Sequence, residues 1–226
     1  MAGWRFFDEI HPAAGHMALS HLERMGKLGV QFEDQSYFYA DNDEFLFSSG
    51  QQSLSVITQN VDGLHRKAGS MHLLELHGRS DRLQCVQCGA TRHRRCFHSE
   101  LEQLNHDWLQ SAIAAGSDLR ADGDAQITAD YNDVQVPACR ECDGFLKPDV
   151  VFFGDTIPRH HVRLCQAAVE ACDGLLVIGS SLTVHSAFRH VRAAHQQGKP
   201  IAIINVGETR AEREGVQLLK IEAPAG

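Results

Sequence analysis

Gly174-Leu-Leu-Val-Ile-Gly-Ser-Ser181 is the stretch on which the fold reading turns. A glycine opens a four-residue apolar run, Leu175–Ile178, too short for a helix and without polar alternation. Such a run reads as a strand buried on both faces, the signature of a parallel sheet. The turn Gly179-Ser180-Ser181 then leads into a helical pattern over 183–197. Upstream, 158–171 reads as a helix with Val162, Cys165, Val169 and Cys172 on one side. Downstream, 200–205 is another apolar strand, and 216–221 one more. Strands alternating with helices of this length predict a doubly wound, Rossmann-like α/β sheet.

Nearer the N-terminus, 55–58 and 73–76 read as two further buried strands, and 150–153 as a strand leading into the βα series. An amphipathic helix follows His11-Pro12, with Ala18, Leu19, Leu22 and Met25 at helical spacing, and Gly26 and Gly29 ending it. The segment 30–54 has no period and reads as a loop or an insertion. Between 78 and 148 the texture changes to two CxxC pairs, a basic cluster (Arg92–Arg95) and few apolar runs. The expected organisation is therefore a Rossmann-like domain from 1–77 and 149–226, interrupted by a small metal module at 78–148.

The 226 residues allow one full-sized domain or one with a satellite. A hydrophobic fraction of 43% and a charged fraction of 22% are ordinary for a globular chain. The formal charge of −8 argues against direct nucleic-acid binding, and no apolar run suits a membrane helix. Met1–Glu9 does not read as a signal or transit peptide. Seven cysteines, an odd number without a secretory leader, point to a reducing compartment.

Cys85-x-x-Cys88 and Cys139-x-x-Cys142 carry the plainest chemistry. Two such knuckles supply four thiolates for a tetrahedral zinc ion, and a site filled by protein is structural. The competing reading is a redox CxxC, disfavoured because neither pair opens a βαβ unit. Gly179-Ser180-Ser181 and Asn205-Val206-Gly207 end adjacent strands, where a doubly wound fold binds phosphate and ribose. Each alone is a weak signal, more often just a tight turn with an N-cap. Together they favour a nucleotide, although no G-x-G-x-x-G is present. Gln59-Asn60-Val61-Asp62 follows another strand end and is either a capped polar turn or a ligand-facing loop. His77, before Gly78 at a strand's carboxyl end, is the candidate general base. His160 and His161, like His11, His16 and His21, look like solvated helix positions.

These motifs resemble the sirtuin family of NAD-dependent protein deacylases. The resemblance rests on Thr58–His65 (TQNVDGLH), Glu75–Gly78 (ELHG), the paired CxxC knuckles, Lys147–Asp155 (KPDVVFFGD), Gly179–Leu182 (GSSL) and Asn205–Gly207, in that order. Phe97-x-x-x-Leu101-x-x-Leu104-Asn105-x-x-Trp108, Ala121–Ala125 (ADGDA), the long knuckle spacing and Phe152-Phe153 are similar to the class II, sirtuin-4-like branch. The resemblance implies His77 as proton acceptor, and Gln59, Asn60, Val61 and Asp62 on the nicotinamide and ribose side of NAD. It places Gly179, Ser180 and Ser181 on phosphate and ribose, and Asn205, Val206, Gly207 and Ala225 on the adenosine half. Val151, Phe152, Phe153 and Gly154 would pair as a strand with an acyl-lysine protein substrate. The implied cofactors are NAD as co-substrate and one structural Zn2+, and the implied location is the mitochondrial matrix, with cytoplasm or nucleus as alternatives.

The implied chemistry starts with attack of the acyl oxygen on C1′ of the ribose as nicotinamide leaves. A neutral His77 then accepts a ribose hydroxyl proton, so activity should fall as pH drops through its pKa. The pattern also departs from the family. Its first strand, Gly-Ala-Gly-x-Ser loop and Pro-Asp-Phe-Arg stretch do not occur, which reads as an N-terminally incomplete chain with an exposed sheet edge and part of the NAD site lacking. The last expected helix is also absent, 30–54 is an insertion or untranslated sequence read through, and Asp143 replaces a glycine. Two other functions stay open: protein mono-ADP-ribosyl transfer, and a catalytically impaired zinc-scaffold or acyl-lysine-binding protein.

Overall fold

The computed structural model describes residues 9–32, 53–114, 118–119, 125–126 and 131–225. Most of the 30–54 segment, Met1–Asp8, and Ala121–Asp124 of the ADGDA motif lie outside the described residues. No described helix is long and apolar enough to cross a membrane. The chain divides into two compact units, one of Pro12–Asn60, Leu64–His77 and Phe153–Gly226, the other of Val61–Gly63 and Gly78–Phe152 together with Met1–His11.

In the first unit, α1 (Ala14–Arg24) is followed by β1 (Val30–Gln31), which pairs antiparallel with β2 (Ser53–Leu54). The expected loop at 30–54 is thus tied at both ends. Phe32 and Leu54 explain why, since both are buried in one apolar cluster with Leu74, Leu76, Leu164 and Cys165. The strands β3 (Val56–Thr58) and β4 (Leu73–Glu75) run parallel, joined through α2 (Leu64–Lys67). After α5 (Arg159–Ala171) come β10 (Leu175–Ile178), α6 (His185–Gln196), β11 (Ile201–Ile204), α7 (Arg210–Arg213) and β12 (Leu219–Ile221), the strands between β4 and β10 belonging to the second unit. β10, β11 and β12 are parallel neighbours in that order, with Leu175 opposite Ile201 and Ala202 opposite Leu219. Val169, Leu182, Phe188, Val191, Ile201 and Ile203 form the apolar cluster between this sheet and its helices.

Parallel strands joined through helices put their following loops at one carboxyl rim. Among the described residues the parallel pairing comes in two pieces, β3–β4 and β10–β11–β12, because no described strand pairs with both β3 and β10. A cavity of about 490 Å3 is lined by Ser55 and Ile57 from the one side and Leu175 and Leu176 from the other.

Two surface expectations are corrected. α1 does not pack through Ala18 and Met25, which are exposed, but through Ser20 and Glu23, which are buried. The Glu23 carboxylate accepts backbone N–H bonds from Met71 at 2.9 Å and His72 at 2.8 Å, so its burial is matched by donors in the turn before β4. His161 is buried rather than solvated, on the same face of α5 as Leu164 and Cys165.

The second unit is built on β5 (Gly78–Cys85), with β6 (Thr91–His93) on one side and β9 (Leu146–Val150) on the other, both antiparallel. The strand expected at 150–153 is therefore shifted. Leu146–Val150 ladders onto β5 instead, and Val151–Gly154 leave the sheet. An Arg82–Asp149 ion pair ties β5 to β9, Nε to Oδ2 at 2.6 Å. Helix α3 (Arg94–Leu104) and helix α4 (His106–Ala114) follow β6. The buried Asn105 between them accepts from Gln135 N–H at 2.7 Å and donates to the Leu101 and Gln135 carbonyls at 2.7 and 2.8 Å. The short strands β7 (Asp118–Leu119) and β8 (Ala125–Gln126) pair antiparallel.

Candidate active site and metal centre

His77 follows β4, and Leu76 before it is still tied to β3 by its N–H to the Thr58 carbonyl at 2.8 Å. Gly78 turns the chain at φ +84, and a Cβ there would stand 2.2 Å from the Asp149 carbonyl oxygen. The glycine of this His-Gly pair is thus required by close backbone approach. The imidazole is half-buried and bonded at both nitrogens. Nδ1 lies 3.2 Å from the Gln59 carbonyl and Nε2 3.0 Å from Ser186 Oγ. Burial pulls its pKa below the ordinary 6.5, partly opposed by the bond to Gln59. A neutral imidazole at pH 7 is the form a general base requires.

Gln59 joins this group to the loop after β10, since its Nε2 donates to Ser180 Oγ at 3.3 Å. His77, Gln59 and Ser180 therefore meet, although Gln59 and Ser180 are far apart in sequence. Asn60 N–H bonds Thr58 Oγ1 at 3.1 Å, making a side-chain turn at the end of β3. Val61 and Asp62 group with the second unit, where the Val61 carbonyl accepts from Ser80 N–H at 2.9 Å. The expected row from Gln59 to Asp62 is thus divided between the two units.

The loop after β10 carries two left-handed residues, Gly179 at φ +62 and Leu182 at φ +58. The second is a bulky side chain in a conformation that costs about 1–3 kcal/mol, held because Leu182 is buried and its N–H bonds Ser180 Oγ at 3.2 Å. Ser181 Oγ lies 3.0 Å from Thr183 Oγ1. A Cβ on Gly179 would stand 3.0 Å from Ala225 Cβ, so Ala225 lies against this loop. On the next strand, the Asn205 amide donates to the Val206 carbonyl at 2.8 Å, and Gly207 N–H bonds Glu222 at 2.7 Å. Gly207 has open space where a Cβ would be, and Val206 is exposed. Open space beside Gly207 and hydroxyl groups at the strand-to-helix turn fit a dinucleotide.

Val151 to Gly154 do not form a strand. Phe152 is half-exposed, with the Lys147 ammonium 5.9 Å from its ring, and the Phe153 side chain is wholly exposed. Sequence reasoning passed over Ser186. Its only local signal is a small polar residue in the first turn of the helix that follows the Gly-Ser-Ser loop.

The four knuckle cysteines converge. Their sulfurs all lie within 4.8 Å of one another, with Cys85–Cys142 at 3.6 Å and Cys88–Cys139 at 3.7 Å. A tetrahedron with Zn–S near 2.3 Å has edges of ~3.8 Å, so the spacing fits that ion. Gln87 and Glu141 N–H groups each approach a sulfur at 3.4 Å, Cys85 and Cys139 respectively. Backbone N–H groups of Cys88 and Gln87 pull the Cys85 thiol down to about 6, whereas the adjacent Cys88 sulfur pushes Cys142 up to about 12. Thiolates this close repel, and four of them call for a cation between them. Asp143 adopts φ +57 at the knuckle's end, the conformation that favours glycine there.

The Sir2 family model matches residues 44–186. The NAD-dependent protein deacetylase of Bordetella bronchiseptica is 39% identical over 225 residues, covering 99% of this chain and 71% of that protein. Human mitochondrial sirtuin-4, an NAD-dependent protein lipoamidase, is 39% identical over 225 residues, covering 99% of this chain and 62% of that protein. A solved structure of Sir2 with a p53 peptide and NAD+ superposes with a TM-score of 0.66 at 25% identity, over 98% of this chain and 72% of that one. A family match across most of the chain and its bacterial relative's identity lead to one conclusion, that the chain belongs to the Sir2 family.

Proposed function

We propose that this chain is an NAD-dependent protein lysine deacylase in which His77 is the proton acceptor. The observation that carries the reading is the meeting of His77, Gln59 and Ser180, which joins a near-neutral base to the loop best suited to a dinucleotide. NAD would supply an electrophilic ribose carbon with nicotinamide as leaving group, and the hydroxyl that later attacks the acyl carbon. Gln59, Asn60, Val61 and Asp62 serve the nicotinamide and ribose side. Gly179, Ser180 and Ser181 bind phosphate and ribose, and Asn205, Val206, Gly207 and Ala225 take the adenosine half. His77 Nε2 accepts the ribose hydroxyl proton. Its burial favours the neutral form, so the base is competent at pH 7 without a charged partner.

Val151, Phe152, Phe153 and Gly154 take the acyl-lysine peptide, adding it as an extended strand. In this reading the sheet is doubly wound, and residues 78–148 form a zinc module held by Cys85, Cys88, Cys139 and Cys142. The ion is structural, because four thiolates leave no position for water. An acetyl-lysine peptide incubated with NAD and this chain should yield free lysine, nicotinamide and acyl-ADP-ribose by mass spectrometry. ADP-ribose attached to protein without peptide turnover would indicate transferase chemistry instead. Peptide binding without nicotinamide release would indicate a binding protein.

A further inference from the structure

A carbonyl oxygen can only accept a hydrogen bond, so the His77 nitrogen facing the Gln59 carbonyl must carry a proton. In the neutral ring the lone pair then lies on Nε2. Its partner is Ser186 Oγ at 3.0 Å, which must donate. We propose that Ser186 is a positioning residue for the deacylation: its hydroxyl holds the ring tilt that orients Nε2 as the accepting nitrogen, in the Nδ1–H tautomer that the Gln59 carbonyl sets. This rests on the reading of His77 as the base.

Ser186 is itself held firmly. It lies in the first turn of α6, where Ala187 and Phe188 N–H groups both bond the Val184 carbonyl at 3.2 Å. Phe188, two residues on, is fully buried, and the Arg210 guanidinium lies 4.4 Å from its ring centre. Arg210 also donates to the Thr183 carbonyl at 3.3 Å, fastening the loop that enters the helix. The hydroxyl therefore arrives on a braced element, whereas the Gln59 carbonyl arrives on the strand-end turn after β3. The carbonyl sets the tautomer, and the two supports from different parts of the fold set the ring's tilt together.

A hydroxyl also suits a base that changes protonation state. It donates to a neutral Nε2 and, by rotating, accepts from Nε2–H once the proton has been taken. A carboxylate here would favour the imidazolium, and an alkyl group would leave Nε2 without a partner. When the substrate hydroxyl arrives, the Ser186 O–H swings aside. One proton then passes from the ribose oxygen to Nε2, while the Nδ1–H bond to Gln59 is unchanged.

The test uses the full chain, uniformly 15N-labelled, as wild type, Ser186→Ala and Ser186→Thr, with a His77→Gln sample to assign the ring signals. Imidazole 15N shifts at pH 7.5 should show His77 as the Nδ1–H tautomer in wild type and the threonine variant. In Ser186→Ala the tautomer should persist, while the unprotonated Nε2 signal moves because its hydrogen-bond donor is gone. Turnover of NAD with an acetyl-lysine peptide should drop about tenfold in kcat for Ser186→Ala, with KM for NAD changing less than twofold, and recover in Ser186→Thr. An alanine variant with wild-type ring shifts and wild-type kcat overturns the proposal. A wild type that never turns over NAD sinks the deacylase reading alone, and the ring shifts still decide whether Ser186 holds Nε2. If the alanine variant does not fold, Ser186→Cys carries the same comparison.

Discussion

Acidification should destabilise this protein through one histidine that the reaction does not use. His190 lies on α6, is 8% exposed, and its Nε2 finds no partner among the described residues. Burial, followed by the nearby positive charge of Arg189, drives its pKa from 6.5 to about 4 against the Ser186 carbonyl bond. The sign follows from proton counts. Between pH 6.5 and 4 the unfolded chain binds the proton and the folded chain does not, so stability rises with pH in that window and is lost as pH falls. At pH 5 the loss is roughly 2 kcal/mol, and at pH 4 roughly 3 kcal/mol. Other groups titrate too, so the measurement is a difference. Thermal melts of wild type and His190→Leu, followed by far-UV circular dichroism at pH 7 and pH 5, remove the common background. Relative to the leucine variant, the wild type should lose roughly 4–8 °C of Tm between the two pH values. A gap that does not change with pH would refute the claim that this imidazole is forced to stay neutral.

Three further outcomes follow from other parts of the fold. His77→Ala should lower kcat for NAD-dependent peptide deacylation by about 10²–10⁴-fold, and wild-type kcat/KM should fall with decreasing pH only below 6.5, as pH–rate profiles would reveal. Glu23→Ala leaves two backbone N–H groups without their acceptor and should cost roughly 3 kcal/mol, read as a Tm lowered by roughly 6–12 °C. Cys139→Ser, or chelation of the wild type, should remove bound zinc in elemental analysis and cost stability on the order of several kcal/mol in a chemical melt.

The sequence by itself determined the elements whose signals are local. Leu175–Ile178 and Ile201–Ile204 are apolar runs bounded by glycine or proline, and both form strands, although the expected burial on both faces fails at Leu175–Ile178, where Leu176 is exposed among the described residues. The knuckles were legible for a similar reason, since each CxxC spacing already places two sulfurs on one turn. His77 could be singled out from a strand end and a glycine. Only the tertiary structure decided which of these residues meet. His77 and Ser186 are 109 positions apart, and Gln59 and Ser180 are 121 apart. No window of sequence encodes such pairs, because the order of parallel strands and their crossovers brings the loops to one rim. The same limit explains the misreadings. His161 has the composition of a surface residue, but the packing face of α5 buries it. Leu146–Val150 carries a proline and little periodicity, and it is a strand because β5 offers it an antiparallel edge. Where periodicity is strong, local pattern dictates whether a segment is helix or strand. The partner it finds across the molecule dictates what its side chains touch, and chemistry depends on that contact.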